Sequence, residues 1–305
     1  MGSEKGLACV TGGTGMVGRR IVKRLINEGY DVRVLTRAHH KEEPNLSYIC
    51  GDLSDQHVLN RFLSGAELVF HCAAELRDVS MMRTTNVVAT EKLLKACKSM
   101  PIKYFCFVSS AGVIGLTPQT VVDENTHSNP QDEYEITKSE AEKLVVRERA
   151  GTHTVILRPT NVIDDEKPGA FLLAMDRGFV SRLKIFVKGG ECAHLVHAQD
   201  VARAATFFMD HEFTAPECFF VSRDDDPSNT VASVCSSFHQ ARRNDSFRIQ
   251  LLHLPQWLPR YLRKLSGRDS NSGNVTYSSE KLRSFGFKFI YGIREMAQEL
   301  VVKNG

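Results

Sequence analysis

A glycine-rich stretch near the N-terminus, Thr11-Gly12-Gly13-Thr14-Gly15-Met16-Val17-Gly18, decides how this chain folds. It follows the apolar run 7–10 and opens a segment, 16–28, whose apolar residues recur at helical spacing. The glycines permit a tight turn, close approach of the backbone to a phosphate, and close packing of helix on strand. A helix N-terminus here also offers N–H groups and a partial positive charge. We therefore predict a nucleotide phosphate site at this turn.

The segments that follow alternate between short apolar runs and amphipathic stretches. The pattern predicts strands over 7–10, 32–35, 46–50, 68–71, 104–109 and 154–157. It predicts helices over 16–28, 56–63, 81–98 and 133–149, and one later strand over 219–221. Strands that alternate with helices lie parallel, joined by right-handed crossovers that cover both faces. The fold class is therefore α/β, a doubly wound parallel sheet of the Rossmann type.

The alternation of strands and helices ends after about Asp164. The pattern predicts a loop over 164–169 and shorter elements after it. We expect a nucleotide-binding domain over 1–165, completed by about 194–224. The remaining segments, 166–193 and 225–305, are expected to form a small, interleaved C-terminal lobe that binds substrate.

Composition excludes several classes of function. A net charge of +3 is too small to indicate nucleic acid. The eight cysteines contain no C-x-x-C pair, so we expect free thiols in a reducing compartment and no metal site. The run Asp224-Asp225-Asp226 is interpreted as an exposed acidic turn. Because no signal-like or membrane-spanning apolar run occurs, we expect a cytoplasmic protein without a membrane span.

The end of the second predicted strand bears on the choice of dinucleotide. An acidic residue there usually holds the ribose 2′-hydroxyl of NAD. This strand instead ends in Arg37, whose guanidinium suits the 2′-phosphate of NADP, so NADP is preferred over NAD. Asp52, after the third strand, could accept a hydrogen bond from the adenine amine. The small residues of His71-Cys72-Ala73-Ala74, after the fourth strand, would let the ribose and nicotinamide lie close to the backbone.

A candidate catalytic group lies in the helix predicted over 133–149. Tyr134 and Lys138 would face the same side, one turn apart. A free tyrosine titrates near ~10, and a nearby ammonium favours the phenolate. Ser110, at the end of the fifth strand, could hydrogen-bond a substrate oxygen beside the phenol. This pattern indicates proton transfer coupled to hydride transfer with a nicotinamide.

Taken together, these motifs resemble the extended short-chain dehydrogenase/reductase family, of the NAD-dependent epimerase/dehydratase type. The resemblance covers about two-thirds of the chain, in the family's order. The matching motifs are TGGTGMVG (11–18), GDL (51–53), HCAA (71–74), TNVVATEKLLKAC (85–97), SSAGVIG (109–115), YEITK (134–138), LRPTNV (157–162) and LVHAQDVA (195–202).

The resemblance implies roles for individual residues and a homodimer. The implied catalytic residues are Ser110, Tyr134 and Lys138, and the implied substrate contacts are Glu75, Ser110, Ala111, Tyr134 and Asn161. The implied cofactor site comprises Gly12, Thr14, Gly15, Met16, Val17, Gly18, Arg37, Asp52, Leu53, Cys72, Ala73, Ala74, Ser109, Tyr134, Lys138, Pro159, Asn161 and Val162.

The substrate class is open between two kinds of enzyme. Asn161 stands where relatives that act on nucleotide sugars often carry an asparagine, which favours a 4-epimerase or 4-ketoreductase. Ala111 replaces the acid that usually follows the catalytic serine in dehydratases. The alternative is a reductase or dehydrogenase of a hydrophobic alcohol or ketone, of the hydroxysteroid or flavonoid type, with which the apolar segment 251–259 is compatible. A minor alternative is a non-catalytic NADP(H)-sensing protein.

Overall fold

The computed structural model describes residues 5–149, 151–176, 178–243, 253–255 and 275–304. Most of the apolar segment 251–259 therefore lies outside the described residues. The strands are β1 (Leu7–Thr11), β2 (Asp31–Thr36), β3 (Leu46–Cys50), β4 (Ala66–His71), β5 (Tyr104–Val108), β6 (Val121–Val122), β7 (Thr154–Pro159), β8 (Asn161–Ile163), β9 (Leu195–His197), β10 (Glu217–Val221) and β11 (Thr276–Tyr277).

The α-helices, in chain order, are α1 (Met16–Asn27), α2 (Gln56–Leu63), α3 (Val79–Met82), α4 (Ala89–Cys97), α5 (Glu133–Glu148), α6 (Leu172–Met175), α7 (Phe179–Lys188), α8 (Ala198–Phe207), α9 (Val231–Arg243), α10 (Glu280–Ser284) and α11 (Ile293–Asn304). A π-helical segment (Arg83–Val88) joins α3 to α4, and short 3₁₀ helices span Ala111–Ile114 and Gly169–Phe171. No helix within the described ranges is both long and apolar enough to cross a bilayer.

The predicted doubly wound sheet is confirmed. Seven strands form one sheet in the order β10-β7-β5-β4-β1-β2-β3, and successive strands pair in parallel from β7 to β3. The register places Thr11 beside His71 and His71 beside Phe107. Parallel strands end at a shared edge, so the residues after β1, β4 and β5 come together there.

The chain divides into two compact units, each with its own apolar core. The first unit comprises 1–113, 130–158 and 201–219. Its core includes Phe62, Leu93 and Phe105, all fully buried between the sheet and helices. These bounds differ from the predicted division at 165, 194 and 224. The assignment of cofactor and substrate lobes stays a prediction.

The second unit comprises 114–129, 159–200 and 220–305. Its described core is built from α9, α11 and the segments around β8 and β9, with Phe171, Val234 and Met296 almost completely buried. Two short parallel pairs, β8 with β9 and β6 with β11, order the chain around this core. All eight cysteines of the protein are free thiols, as the sequence predicts.

Candidate active site

The glycine-rich turn ends at Gly15, from which α1 starts. No side chain caps this helix, and its first turn carries no acidic residue. A helix whose first N–H groups have no side-chain cap and whose positive end has no neighbouring carboxylate suits an anion. The turn therefore fits the pyrophosphate of a dinucleotide.

Gly12 and Gly18 are required by close packing. Gly12 adopts a φ of +65°, and an added Cβ would lie 2.7 Å from the Ala73 nitrogen at the end of β4. An added Cβ at Gly18 would lie 2.2 Å from the Gly12 carbonyl oxygen. The glycine-rich turn therefore packs tightly against the end of β4 and the start of α1. The side of the turn that faces away from both remains for a ligand.

Two charged residues lie at the ends of β2 and β3. Arg37 is exposed, and within the described segments its guanidinium makes no hydrogen bond or ion pair. Asp52 Oδ1 accepts a hydrogen bond from the Ser54 backbone N–H at 2.8 Å. The hydrogen bonds from Ser54 are the main cause of a lowered pKa of Asp52, with the charges of Arg37 and Lys92 acting in the same direction.

A buried hydrogen-bond chain connects the ends of β1 and β4. The Thr11 hydroxyl lies 2.6 Å from His71 Nδ1 and accepts from the Ala73 N–H at 3.3 Å. His71 Nε2 lies 2.8 Å from the Thr90 hydroxyl, which itself donates to the Asn86 carbonyl. Since the Thr90 proton is used there, His71 donates from Nε2 and accepts at Nδ1. Burial chiefly, then the Lys138 charge, lowers the His71 pKa to about 3, so the ring stays neutral.

Asn86 extends this chain to α5, a role that the sequence did not predict. Its side chain accepts from the Glu75 N–H at 2.8 Å and donates to the Glu75 carbonyl at 3.0 Å and the Thr137 hydroxyl at 3.1 Å. Asn86 is buried within the π-helical segment Arg83–Val88. A signal was available, since a polar asparagine stands among the apolar and small residues of TNVVAT.

Tyr134 and Ser110 meet directly. Asp132 caps α5 by accepting from the Glu135 N–H at 2.8 Å, which sets Tyr134 in the first turn. The Tyr134 phenol is hydrogen-bonded to the Ser110 side chain. Burial raises the pKa of Tyr134 above its usual value, and the Ser110 hydrogen bond opposes that shift in part. Tyr134 is therefore a protonated donor at neutral pH.

Lys138 lies one turn further along α5 and is only 2% exposed. Its Nζ donates to the Val108 carbonyl at 2.8 Å and lies 4.1 Å from the centre of the Phe107 ring. Burial lowers the pKa of Lys138 to about 8, and the charge of Glu142 opposes that shift. The motif spacing predicts instead an ammonium that lowers the Tyr134 pKa. Here the phenol pKa is raised, and the amine bonds to the strand end.

The buried hydroxyl of Ser109 is a second, independent sign that this edge of the sheet can bind a polar ligand. Its hydroxyl is buried at the end of β5, and no hydrogen-bond partner for Oγ occurs among the described residues. An unsatisfied buried hydroxyl costs free energy that a polar ligand atom can recover. With the open helix end of α1 and the glycine packing at β4, this oxygen makes the edge suitable for a nicotinamide dinucleotide.

The other predicted site residues of the first unit have specific surroundings. Glu75 Oε1 accepts from the N–H groups of Leu76, Arg77 and Asp78, so this carboxylate organises its own loop. Ala111 is buried. Burial raises the pKa of Cys72 to about 12, which keeps it a thiol.

Three predicted residues belong to the second unit, by the compact division. Pro159 is buried at the end of β7, and Val162 is half-buried in β8. The Asn161 side chain donates to the Ala193 carbonyl at 3.0 Å, so one of its two amide protons is already used. Their predicted contacts with cofactor and substrate stay predictions.

Comparison with known protein families identifies the chain over most of its length. Residues 8–221 match the profile described as "NAD dependent epimerase/dehydratase family". The chain is 30% identical to the uncharacterized protein y4nG of Sinorhizobium fredii over 65% of its own length, and spans about half of that relative (52%).

Relatives of known activity include both reductases and epimerases. The bifunctional dihydroflavonol 4-reductase/flavanone 4-reductase of Malus domestica is 26% identical, over 97% of this chain and 89% of the relative. The UDP-glucose 4-epimerase of Vibrio cholerae is 29% identical, over 72% of this chain and 71% of the relative.

Solved structures agree on the fold. WbmH of Bordetella bronchiseptica, determined with NAD+, superposes with a TM-score of 0.75 at 21% identity and covers 98% of each chain. Vestitone reductase of alfalfa gives 0.74 at 23% identity, covering 98% of this chain and 97% of the other. The chain therefore belongs to the NAD-dependent epimerase/dehydratase family and is an NAD-dependent enzyme of the extended short-chain dehydrogenase/reductase type.

Proposed function

We propose that the protein reduces a carbonyl group with a nicotinamide cofactor, using Tyr134 as the proton donor. The observation that carries this proposal is the half-buried Tyr134 phenol in the first turn of α5, with the Ser110 side chain near enough to lower its pKa. A carbonyl oxygen placed between these hydroxyls would accept from both. The same two groups would then meet the negative charge that develops as the carbonyl is reduced.

The raised pKa of Tyr134 means that the phenol is protonated at neutral pH, as a proton donor in carbonyl reduction must be. The phenol enters the reaction protonated and transfers its proton to the substrate oxygen, and water restores it afterwards. When bound, the nicotinamide supplies the hydride that goes to the carbonyl carbon. Lys138, whose amine donates to the Val108 carbonyl one helical turn after Tyr134, carries a positive charge at pH values under about 8 and would stabilise the phenolate if it turns toward it during proton transfer.

We infer a preference for NADP(H) over NAD(H). The Arg37 guanidinium is exposed at the end of β2, and its charge is unpaired among the residues described. A 2′-phosphate would provide a bidentate partner for this group. The family itself is named for NAD, so the preference rests on Arg37 alone.

For the substrate we propose a hydrophobic ketone as first candidate. Relatives that match nearly the whole chain include dihydroflavonol 4-reductases, and Ala111 provides no acid for dehydration. A nucleotide sugar is the second candidate. It is supported by the UDP-glucose 4-epimerase relative and by the amide proton that Asn161 retains after bonding Ala193.

We further propose that the enzyme is a cytoplasmic homodimer. Val88, just before α4, and Val146, on α5, are apolar side chains that are 40% and 49% exposed. A helix pair from a second copy would bury them. Light scattering after size exclusion tests this point, and a monomer at micromolar concentration would contradict it.

Fluorescence titration with NADPH and NADH tests the cofactor proposal first, after any copurifying cofactor has been identified. Consumption of the preferred cofactor is then followed with an aromatic ketone and with a UDP-4-ketosugar, and epimerisation of UDP-glucose is assayed separately. Turnover of the ketone alone supports the first candidate. Tightly retained NAD together with epimerisation would replace it with the second.

A further inference from the structure

The second unit contains a cluster of potential metal ligands that none of the residues assigned to the catalytic or cofactor site belongs to. Cys192 and His194 lie just before β9, and Asp224 follows β10. One ligand atom from each of the three side chains lies within 4.8 Å of the other two. A thiol, an imidazole and a carboxylate thus converge at one point.

A buried asparagine holds the two segments of the cluster together. Asn229 accepts from the Leu195 N–H at 3.1 Å through its side chain, and its amide donates to the carbonyls of Leu195 and Arg223. Its backbone carbonyl accepts from the Ala193 N–H at 2.9 Å. Asn229 is 1% exposed, so these bonds are shielded from water. The backbone on either side of His194 is therefore fixed relative to the loop that carries Asp224.

His194 has a strained backbone conformation. Its φ of +54° lies in the left-handed region, which costs a residue with a Cβ about 1–3 kcal/mol. The conformation is kept by the Asn161 N–H, which donates to the His194 carbonyl at 2.8 Å. It directs the ring so that Nδ1 lies 2.6 Å from Asp224 Oδ2.

Asp224 departs from the exposed acidic turn that the sequence suggested. Its side chain has no exposed surface, whereas the neighbouring Asp225 side chain is 49% exposed. Oδ2 accepts from the Tyr277 N–H at 2.9 Å in addition to contacting His194. Oδ1 is buried and meets no N–H or O–H donor among the described residues, so the Cys192 thiol is the donor beside this carboxylate. A cation in place of the thiol proton would give the buried carboxylate a full opposite charge.

We propose that Cys192, His194 and Asp224 bind a divalent transition metal ion of the zinc class. Sulfur, nitrogen and oxygen ligands in this combination suit Zn²⁺ better than Ca²⁺ or Mg²⁺, which prefer oxygen alone. Ligand atoms about 2 Å from a tetrahedral zinc lie about 3.4 Å apart, so the cluster needs side-chain adjustments of about 1 Å.

In this site the ion bonds to the thiolate sulfur, one ring nitrogen and Asp224 Oδ1. The Cys192 thiol releases its proton to solvent as the metal–sulfur bond forms, and water fills the fourth position. The ion joins the start of β9 to the loop after β10, which gives it a structural role within the second unit. This assignment is independent of the catalytic proposal.

The test uses tag-free, full-length protein that has been stripped with a chelator. Titration with Co²⁺ is expected to give one equivalent of bound metal with a thiolate-to-cobalt charge-transfer band, which Zn²⁺ then displaces. Elemental analysis after gel filtration is expected to find one zinc per chain. Zn²⁺ is also expected to raise the thermal midpoint, because it binds only the folded site.

Single substitutions test which residues bind the metal ion. Cys192→Ser is expected to abolish the charge-transfer band and weaken Co²⁺ at least tenfold, while Cys50→Ser, which removes an exposed thiol in the first unit, is expected to leave both unchanged. Retention of no metal by the wild type, or a Co²⁺ spectrum without the thiolate band, would overturn the site. An unchanged band in Cys192→Ser would overturn it as well. If Cys192→Ser does not fold, the Co²⁺ spectrum of the wild type and a Co²⁺ titration of Asp224→Asn still decide whether the metal binds at this cluster.

Discussion

Lys138 in the first unit and Asp224 in the second are both chargeable side chains removed from water, yet their surroundings differ. Lys138 Nζ donates to the Val108 carbonyl and faces the Phe107 ring, and among the described residues it meets no carboxylate at hydrogen-bond distance. Asp224 contacts the His194 imidazole at 2.6 Å and accepts a backbone N–H. One charge is buried almost alone, and the other is buried with partners.

We interpret the Lys138 ammonium as a charge that serves the proposed reaction and the Asp224 carboxylate as a charge that serves the structure of the second unit. A Lys138 pKa lowered to about 8 means that holding this ammonium costs the folded chain about 3 kcal/mol at neutral pH. The proposed role of the Lys138 amine in proton transfer accounts for keeping a group that lowers stability. Asp224 contacts the His194 imidazole and the Tyr277 N–H, and so joins separate segments of the second unit.

Replacing Tyr134 with phenylalanine is expected to have the largest effect, because it removes the proposed proton donor. The variant loses only the proton donor, so we expect kcat to fall by about 10³-fold while the Kd for the cofactor stays within twofold. Steady-state kinetics on the substrate found by the screen and fluorescence titration measure the two quantities.

Tyr30→Phe is the matched control, because it removes a phenol from the same unit at a position outside the proposed site. It should leave kcat unchanged. Full activity in Tyr134→Phe would refute the proposed donor.

Replacing Lys138 with methionine tests the cost of the isolated charge. Removing the ammonium relieves about 3 kcal/mol, and the Val108 carbonyl loses a hydrogen bond worth about 1 kcal/mol. We therefore expect the variant to be about 2 kcal/mol more stable at pH 7 and to lose activity. Urea unfolding measures the stability.

The pH dependence of that gain has a definite sign. Because the pKa of Lys138 is lowered on folding, the folded chain binds fewer protons than the unfolded chain between pH ~8 and ~10.4. The wild type therefore recovers stability as pH rises through this window, and the variant's advantage shrinks. Lys143→Met, at an exposed position of the same helix, should show neither effect. A destabilised Lys138→Met would show that the ammonium is a structural partner.

The first unit was largely predictable from sequence because its signals are local. The periodicity of 16–28 and the strand runs gave α1 and the sheet, and the four-residue spacing placed Tyr134 and Lys138 on one face. The direction of the Lys138 amine depends on β5, which precedes it by 30 residues. Spacing within a helix carries no information about that contact.

The second unit was less predictable because its contacts join distant segments. Asp224 and Asp225 are identical neighbours in the sequence, yet one is buried and the other exposed. The left-handed φ of His194 has no sequence signal comparable to glycine. The chain from Thr11 through His71 to Asn86 in the first unit was missed for the same reason.

Replacing Asp224 with asparagine tests the structural role of the buried Asp224 carboxylate. Asparagine keeps the shape and an oxygen for the Tyr277 N–H but loses the charged contact with His194, so we expect a loss of about 1.5 kcal/mol in metal-free buffer. Urea unfolding in the presence of a chelator measures it.

Asp225→Asn is the control for this change. It disturbs only an exposed ion pair with Arg283, which is worth at most about 1 kcal/mol. Equal, small losses in the two variants would remove the contrast between the buried charges.

Arg37 extends the comparison to a charge that is exposed and, within the described chain, unpaired. Such a group adds little to stability beyond its weak attraction to Asp52, so Arg37→Ala should change the free energy of unfolding by less than about 0.5 kcal/mol. It should weaken NADPH by about tenfold, or about 1.4 kcal/mol, and NADH by less than twofold. Arg61→Ala, at the end of α2, controls for the loss of a positive charge. Equal losses for the two cofactors would show that Arg37 does not read the 2′-phosphate, and the charge at the end of β2 would then be ordinary surface.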